Sequence, residues 1–342
     1  MSNVIRWGII GCGSVCEVKS GPAFRKCAGS ALVAVMSRDA AKARDFARRH
    51  SVPKWYDDAD KLIQDDEVDA VYVATPPGAH EQYALRIAAA GKPCYVEKPM
   101  ARSYVECARM IEAFRAAGKP LFVAYYRRAL PRFVRAKQVI DSGGIGRVTG
   151  CTYRHTRLHW PNPAPEWRLD PEQSGGGLLL DLGSHTLDIL DWLLGEFTEY
   201  GGSASNFSSN VVEDAVSLHF KTSRSAVGTA SWNFAGATKE DLLTIDGTEG
   251  RVLLSTFDED LRIETKAGRE ELTIPNPLHV QQPLVQSIVD ELLGRGVCPS
   301  TGETAARTSR VMDAALAAYY GGRADAFWTR ARARRGDSSS EG

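Results

Sequence analysis

VIRWGIIGCGSVC, residues 4–16, is an apolar run of the buried-strand type that breaks into a glycine turn and enters a helix. In a dinucleotide-binding turn the first glycine closes the turn, the second lets the backbone approach a pyrophosphate, and the third position takes a small residue for helix packing. Gly11 and Gly13 meet the first two requirements, and Cys16 holds the third as a residue small enough to be tolerated. Backbone amides around Cys12, Ser14 and Val15, at a helix N-terminus, would then hold the phosphates.

Working outward, Ser30 to Met36 is a second apolar strand, and the chain continues Ser37-Arg38 where an NAD-binding turn normally places Asp or Glu. With no carboxylate for a ribose 2′-hydroxyl, and a hydroxyl plus a guanidinium instead, the position suits a 2′-phosphate. NADP(H) is therefore the preferred cofactor, with NAD(H) possible. Lys42, one helical turn on, either adds a second positive charge or sits on a solvated face. Helices over 39–50 and 57–65, a buried strand over 70–74, a helix over 81–90 and a strand over 94–96 continue the alternation, which implies a parallel sheet with crossover helices. Thr75-Pro76 leaves one strand at the carboxyl end, where doubly wound sheets bind ligands, and His80 opens the next helix as a packing or loop-fixing group. Glu97-Lys98-Pro99 leaves another. Lys98 there either points into the cofactor crevice or is a surface lysine. After a helix over 103–117 and a strand over 121–124, the first domain closes at residue 125.

The second half, 126–330, reads as an α+β domain. A helix over 131–142 precedes an alternating strand over 146–155. The loop over 156–174 is aromatic and Pro-rich, with Trp160 and Trp167, and is either a wall over the substrate pocket or an ordered surface loop. His155, Arg157 and His159 lie nearby and could bind hydroxyls. Residues 175–195, GGGLLLDLGSHTLDILDWLLG, form a Gly-rich lead-in to one apolar helix. Asp181, His185 and Asp188 project from one face of it. Such groups are costly to bury unless paired, which marks either an acid/base centre or hydrogen bonds to loops. Alternating runs over 215–220, 226–234, 242–246, 251–254 and 261–265 form an antiparallel meander, one face covering the His185 helix and the other available to a second subunit. Helices over 281–295 and 305–320 return to the first domain, and the tail 331–342 is disordered.

The chain has 342 residues, enough for two domains, and its 42 basic and 42 acidic side chains leave no net field to attract nucleic acid or an anionic membrane. No apolar run suits a membrane span, and the N-terminus enters a strand directly, as expected of a cytoplasmic protein. Seven scattered cysteines form no C-x-x-C pair, so they read as reduced thiols, and no metal site is expected.

The Gly11 to Cys16 loop, Thr75-Pro76 through His80, Glu97-Lys98-Pro99, Trp167-Arg168, and Gly175-Gly176-Gly177 followed by Asp181 and His185 together resemble the glucose-fructose oxidoreductase, inositol dehydrogenase and rhizopine catabolism (Gfo/Idh/MocA) family. The resemblance covers nearly the whole chain, and the ordered E-K-P and D-x-x-x-H elements are its specific part. It implies a Rossmann domain plus an α+β domain with a large, mostly antiparallel sheet, a homodimer or homotetramer formed through that sheet, and a sugar, inositol or related polyol substrate. It also implies cofactor contacts from Thr75, Pro76, His80, Glu97, Lys98, Trp167 and Arg168, and substrate contacts from Lys98, Tyr126, Arg128, Asp181 and His185. His185 would be the acid/base, since imidazole, with an ordinary pKa of about 6.5, exists in either state near neutrality. Asp181 would orient a hydroxyl or the imidazole, and Lys98 would favour a developing alkoxide. Three alternatives share the fold: a dehydrogenase of an aromatic diol, a redox-neutral glycosidase using NAD transiently, and a non-catalytic NADP sensor. The last has no need for Lys98, Asp181 and His185 together.

Overall fold

The N-terminal apolar runs pair as parallel strands. In the computed structural model, which describes residues 3–158, 166–208 and 211–322, the chain divides into two compact units. The first comprises Met1–Ala101, Glu106–Leu130 and Pro277–Ala306. Its strands β1 (Ile5–Ile10), β2 (Ser30–Met36), β3 (Lys54–Tyr56), β4 (Ala70–Val73), β5 (Cys94–Val96) and β6 (Leu121–Val123) form one sheet in the order β3-β2-β1-β4-β5-β6. Every pairing is parallel. A parallel sheet covered on both faces needs continuous apolar strands, and β4, AVYV, is buried throughout. Strand order reverses between β1 and β4, the switch point outside whose carboxyl ends such sheets bind ligands.

Trp7, Phe24, Tyr72 and Tyr95 run ring to ring through this core, with centroids 4.9, 5.2 and 4.8 Å apart. The helix Gln282–Leu292 adds Leu284, Val285, Ile288 and Val289 to the same cluster. The unit includes this return over 277–306 for a physical reason: the edge of β6 would otherwise be open. Val123 N donates to Ser300 O at 3.2 Å, Ser300 Oγ donates to Val123 O at 2.7 Å, and Phe122 bridges to Thr301.

The second unit comprises Arg102–Val105, Pro131–Asn276 and Arg307–Gly342. Its strands are β7 (Val148–Leu158), β8 (Phe197–Ser205), β9 (Ala215–Thr222), β10 (Val227–Gly236), β11 (Glu240–Gly247), β12 (Gly250–Leu254), β13 (Asp260–Thr265) and β14 (Gly268–Thr273). They lie in the order β14-β13-β12-β11-β7-β10-β9-β8. The expected meander is antiparallel except that β10 pairs with β7 in parallel. On β7, Cys151, Tyr153 and His155 are buried while Thr152 and Arg154 are exposed, the alternation of a sheet packed on one face.

Two expectations are corrected here. The helix that the Gly-rich stretch leads into is not α-helical from its start: a short helix Pro171–Ser174 ends at Gly175 in the left-handed conformation, a π-helical turn spans Leu179–Gly183, and the α-helix runs Ser184–Leu194. The C-terminal helix Gly302–Tyr320 does not return as a whole to the first unit. From Arg307 onward it belongs to the second, where Arg307 pairs with Asp191 at 2.7 Å and Arg310 with Glu196 at 2.7 Å. The tail 331–342 lies outside the described residues.

Candidate active site

The glycine turn is built by close approach. Gly11 has φ +107°, its N–H donates to Met36 O at 2.8 Å, and a Cβ there would stand 2.7 Å from Ala74 O. Only glycine lets the end of β1 pass the end of β4 in that conformation. A Cβ on Gly13 would meet nothing within 4 Å, so the second glycine opens toward free space, as a turn that admits a pyrophosphate requires. Cys16 is fully buried and its Sγ donates to Gly11 O at 3.2 Å, which suits the small third position. The helix that follows is short, Ser14–Val18, and a second starts at Gly21. Burial pushes the Cys12 thiol up to about 11, so it is neutral and unreactive at physiological pH.

Beyond β2, Ser37 Oγ accepts from Asp39 N at 3.3 Å, and Asp39 caps the helix Ala40–Arg49 by accepting from Lys42 N at 3.2 Å. Arg38 and Lys42 are exposed. Arg38 lines a surface cleft with Lys61 and Arg86. Lys61 lies 3.8 Å from Asp57 and Arg86 donates to Asp60 at 2.8 Å, whereas Arg38 makes no ion pair among the described residues.

The loops after β4 and β5 are tied together by His80. Its Nε2 lies 2.8 Å from Thr75 O, and its Nδ1 lies 3.1 and 3.2 Å from Pro99 O and Met100 O. The ring is completely buried, and burial lowers its pKa. His80 thus fixes the loop carrying Lys98, the role its position suggested, and its side chain is spent on carbonyls. Glu97 is buried as well. Its Oε1 accepts from Tyr72 Oη at 2.5 Å and Gln281 Nε2 at 2.6 Å, and its Oε2 accepts from Lys98 N at 3.1 Å. The carboxylate faces the interior of the unit and holds Lys98 by its backbone. Arg128, expected at the substrate, is 2% exposed and donates to Pro299 O at 3.1 Å, so it braces the C-terminal return. Thr75, Lys98 and Tyr126 are half-buried and Pro76 exposed.

In the second unit the Trp167-Arg168 turn reaches Asp181. Arg168 Nε lies 2.9 Å from Asp181 Oδ2, and the guanidinium sits 4.8 Å over the Trp167 ring. Asp181 is inside the π-turn, so it and His185 are not spaced as on a single α-helix. His185 is 4% exposed at the second residue of the helix, and Asp188 is wholly buried. His155 packs 5.6 and 5.4 Å from the rings of Phe234 and Phe257, and burial lowers its pKa. Trp160 and His159 lie outside the described residues. Among the described residues no cluster of His, Cys, Asp and Glu could hold a metal, and no helix is long and apolar enough to cross a membrane.

Sequence reasoning missed the groups that hold these residues in place. Gly177 N donates to both oxygens of Glu213 at 2.9 Å, and Tyr320 Oη donates to Glu213 Oε2 at 2.6 Å. The signal was Glu213-Asp214, two acids at the entry to an alternating strand. Gln281, which holds Glu97, carried none.

Comparison with known proteins agrees with this architecture. Residues 5–125 match the model of an oxidoreductase family with an NAD-binding Rossmann fold, and residues 133–253 match the GFO/IDH/MocA C-terminal domain. The chain is 38% identical to Oxidoreductase P35 of Formosa agariphila over 92% of this chain and 98% of that protein. It is 26% identical to 1,5-anhydro-D-fructose reductase of Ensifer adhaerens over 87% of this chain and 91% of the other. An oxidoreductase from Agrobacterium radiobacter, solved with NAD+, L-tartaric acid and magnesium, shares the fold with a TM-score of 0.83 at 22% identity, over 93% of this chain and 97% of that one. With both halves matched, and a glycine cradle open where a pyrophosphate would lie, the chain belongs to the GFO/IDH/MocA family of oxidoreductases with an NAD-binding Rossmann fold.

Proposed function

We propose that this protein transfers hydride between NADP(H) and a hydroxyl- or carbonyl-bearing carbon of a sugar, inositol or related polyol, with His185 as the acid/base. The observation that carries the reading is the Asp181 carboxylate paired with Arg168 at a π-turn that leads directly into a buried His185. A π-turn inside a helix is a frequent mark of functional sites. The nicotinamide ring, when bound, supplies or accepts the hydride. His185 takes the hydroxyl proton as the alcohol is oxidised and returns it in the reverse direction. Asp181, its charge balanced by Arg168, accepts a hydrogen bond from a substrate hydroxyl. The Lys98 ammonium donates to the reacting oxygen and favours its alkoxide character.

Gly11 and Gly13, with the backbone of Cys12, Ser14 and Val15, would receive the pyrophosphate, flanked by Thr75 and Pro76. Ser37 and Arg38 would receive the 2′-phosphate, with Lys42 adding charge. The support for NADP(H) over NAD(H) is the exposed Arg38, which faces its cleft without an ion-pair partner among the described residues. The exposed face of the eight-stranded sheet, with Thr152, Arg154, Thr229 and Asn233, would receive a second copy, which sedimentation tests.

The deciding experiment follows NADPH and NADH fluorescence, in both directions, across myo-inositol, D-glucose, D-fructose, 1,5-anhydro-D-fructose and an aromatic trans-diol. Turnover of a sugar or polyol with NADP(H), lost by about 100-fold or more in His185→Ala while NADPH still binds, is the expected result. Wild-type turnover by that variant removes His185 from its role. Turnover of the aromatic diol alone replaces the substrate class.

A further inference from the structure

We propose that Glu213 is a positioning residue for Asp181 and His185, acting through the glycine segment that feeds the π-turn; the inference rests on the acid/base reading above. Glu213 is 1% exposed, and a buried carboxylate is tolerated only where donors surround it. The donors here include the Gly177 N–H, shared between both oxygens at 2.9 Å, and the Tyr320 hydroxyl at 2.6 Å. Gly177 is held so closely that a Cβ on it would stand 2.3 Å from Glu213 O and 3.1 Å from Glu213 Cδ.

The other side of the segment is held as well. Ser174 Oγ lies 2.6 Å from Gly176 O and 2.8 Å from Asp170 O, within reach of either for its single proton. Leu180 N then donates to Gly177 O at 3.2 Å, so the residue gripped by Glu213 supplies an acceptor to the first turn of the helical run. The π-turn spans Leu179–Gly183 with Asp181 at its centre, and the α-helix with His185 starts at Ser184. A π-turn can slide into regular α-helix if its entry is free to rotate, and such a slide would turn Asp181 away from its present direction relative to His185. The Glu213 clamp sets that entry. The neighbouring Asp214 serves a different segment, accepting from Phe207 N and Ser208 N, so the two acids are divided between the π-turn and the β8 to β9 connection.

The test uses the full chain with Glu213→Leu, Glu213→Gln and Tyr320→Phe. It reads the imidazole NMR signal of His185, assigned by its loss in His185→Ala, alongside kcat, KM and NADPH affinity. Glu213→Leu should displace the His185 signal and lower kcat by about 100-fold, the scale expected of a misplaced catalytic group, with NADPH affinity unchanged. Glu213→Gln, which keeps an acceptor for Gly177 N–H, should restore most of both. A folded Glu213→Leu with the wild-type His185 signal and kcat overturns the proposal, as does a Gln variant no better than Leu. Where Glu213→Leu does not fold, Tyr320→Phe decides: a displaced signal supports the clamp and an unmoved one overturns it. A displaced signal combined with full turnover by His185→Ala leaves the clamp standing and removes the acid/base reading instead.

Discussion

The two regions that carry the proposed site residues are held in place by different means. In the first unit, the loop bearing Lys98 is held by groups from its own motifs: His80 grips carbonyls of Thr75, Pro99 and Met100, and Glu97 holds the Lys98 amide. In the second, the π-turn bearing Asp181 is held by Glu213, 36 residues along from Gly177, and by Tyr320, a further 107 from Glu213. A ligand-binding end of a parallel sheet can be specified locally, because strand and loop arrive together. A π-turn at the start of a helix departs from the regular hydrogen-bond ladder, and here the groups that hold its entry come from elsewhere in the fold.

The comparison breaks most visibly at Gly177. Gly177→Ala places a Cβ against the Glu213 carbonyl, a backbone atom that cannot yield as a side-chain tip would. We expect about 3 kcal/mol of destabilisation, read as a lower urea midpoint, together with near-complete loss of turnover. A variant with wild-type midpoint and activity would show that the π-turn entry is not tightly held. The matching change in the first unit is His80→Ala. It leaves buried carbonyls without a donor and opens a cavity, for about 2 kcal/mol and a weakened NADPH affinity. The His185 NMR signal should stay put in this variant; if it moves as far as in Gly177→Ala, the two regions are not held independently.

The same contrast explains what could be read from the amino-acid order. The parallel sheet was legible because β1, β2 and β4 are continuous apolar runs ending at glycine or at loop residues with chemistry of their own. Strand β8, FTEYGGSAS, carries adjacent glycines and small residues in place of an alternating pattern, and β14, GREELT, is mostly exposed, so neither announced itself. Asp181 and His185 stood out as polar groups in an apolar run, but the π-turn between them did not. It depends on a grip at Gly177 by a residue whose distance along the chain nothing local encodes. Gln281 and Pro299, the interior partners of Glu97 and Arg128, lie 184 and 171 residues away, so no local pattern pointed to those contacts either.

Smaller effects sharpen the cofactor side. Arg38→Ala should weaken NADPH binding about tenfold, the scale of one charge-assisted contact at an exposed site, and leave NADH affinity as it was. Equal losses for both cofactors would place Arg38 away from the 2′-phosphate.

The smallest expected effect lies beside the glycine turn. Glu17, on the short helix after Gly13, accepts from Arg49 at 2.9 and 2.6 Å and lies 2.6 Å from His50 Nε2. The Arg49 guanidinium first, and His50 with it, hold the Glu17 carboxyl down at about 2, against an ordinary value of 4.5. Since the folded value is the lower one, the unfolded chain takes up the proton first as pH falls. The contribution is therefore complete above about pH 4.5 and disappears toward about pH 2. Both partners are partly exposed, at 41% and 30%, and solvent screens the pair to no more than about 1 kcal/mol. Glu17→Gln should accordingly lower the urea midpoint slightly at neutral pH, and the gap to wild type should narrow at about pH 3. A gap that holds constant across that range would mean that the Glu17 charge does not stabilise the folded chain, and the helix after the glycine turn would then rest on the buried Cys16 and its neighbours alone.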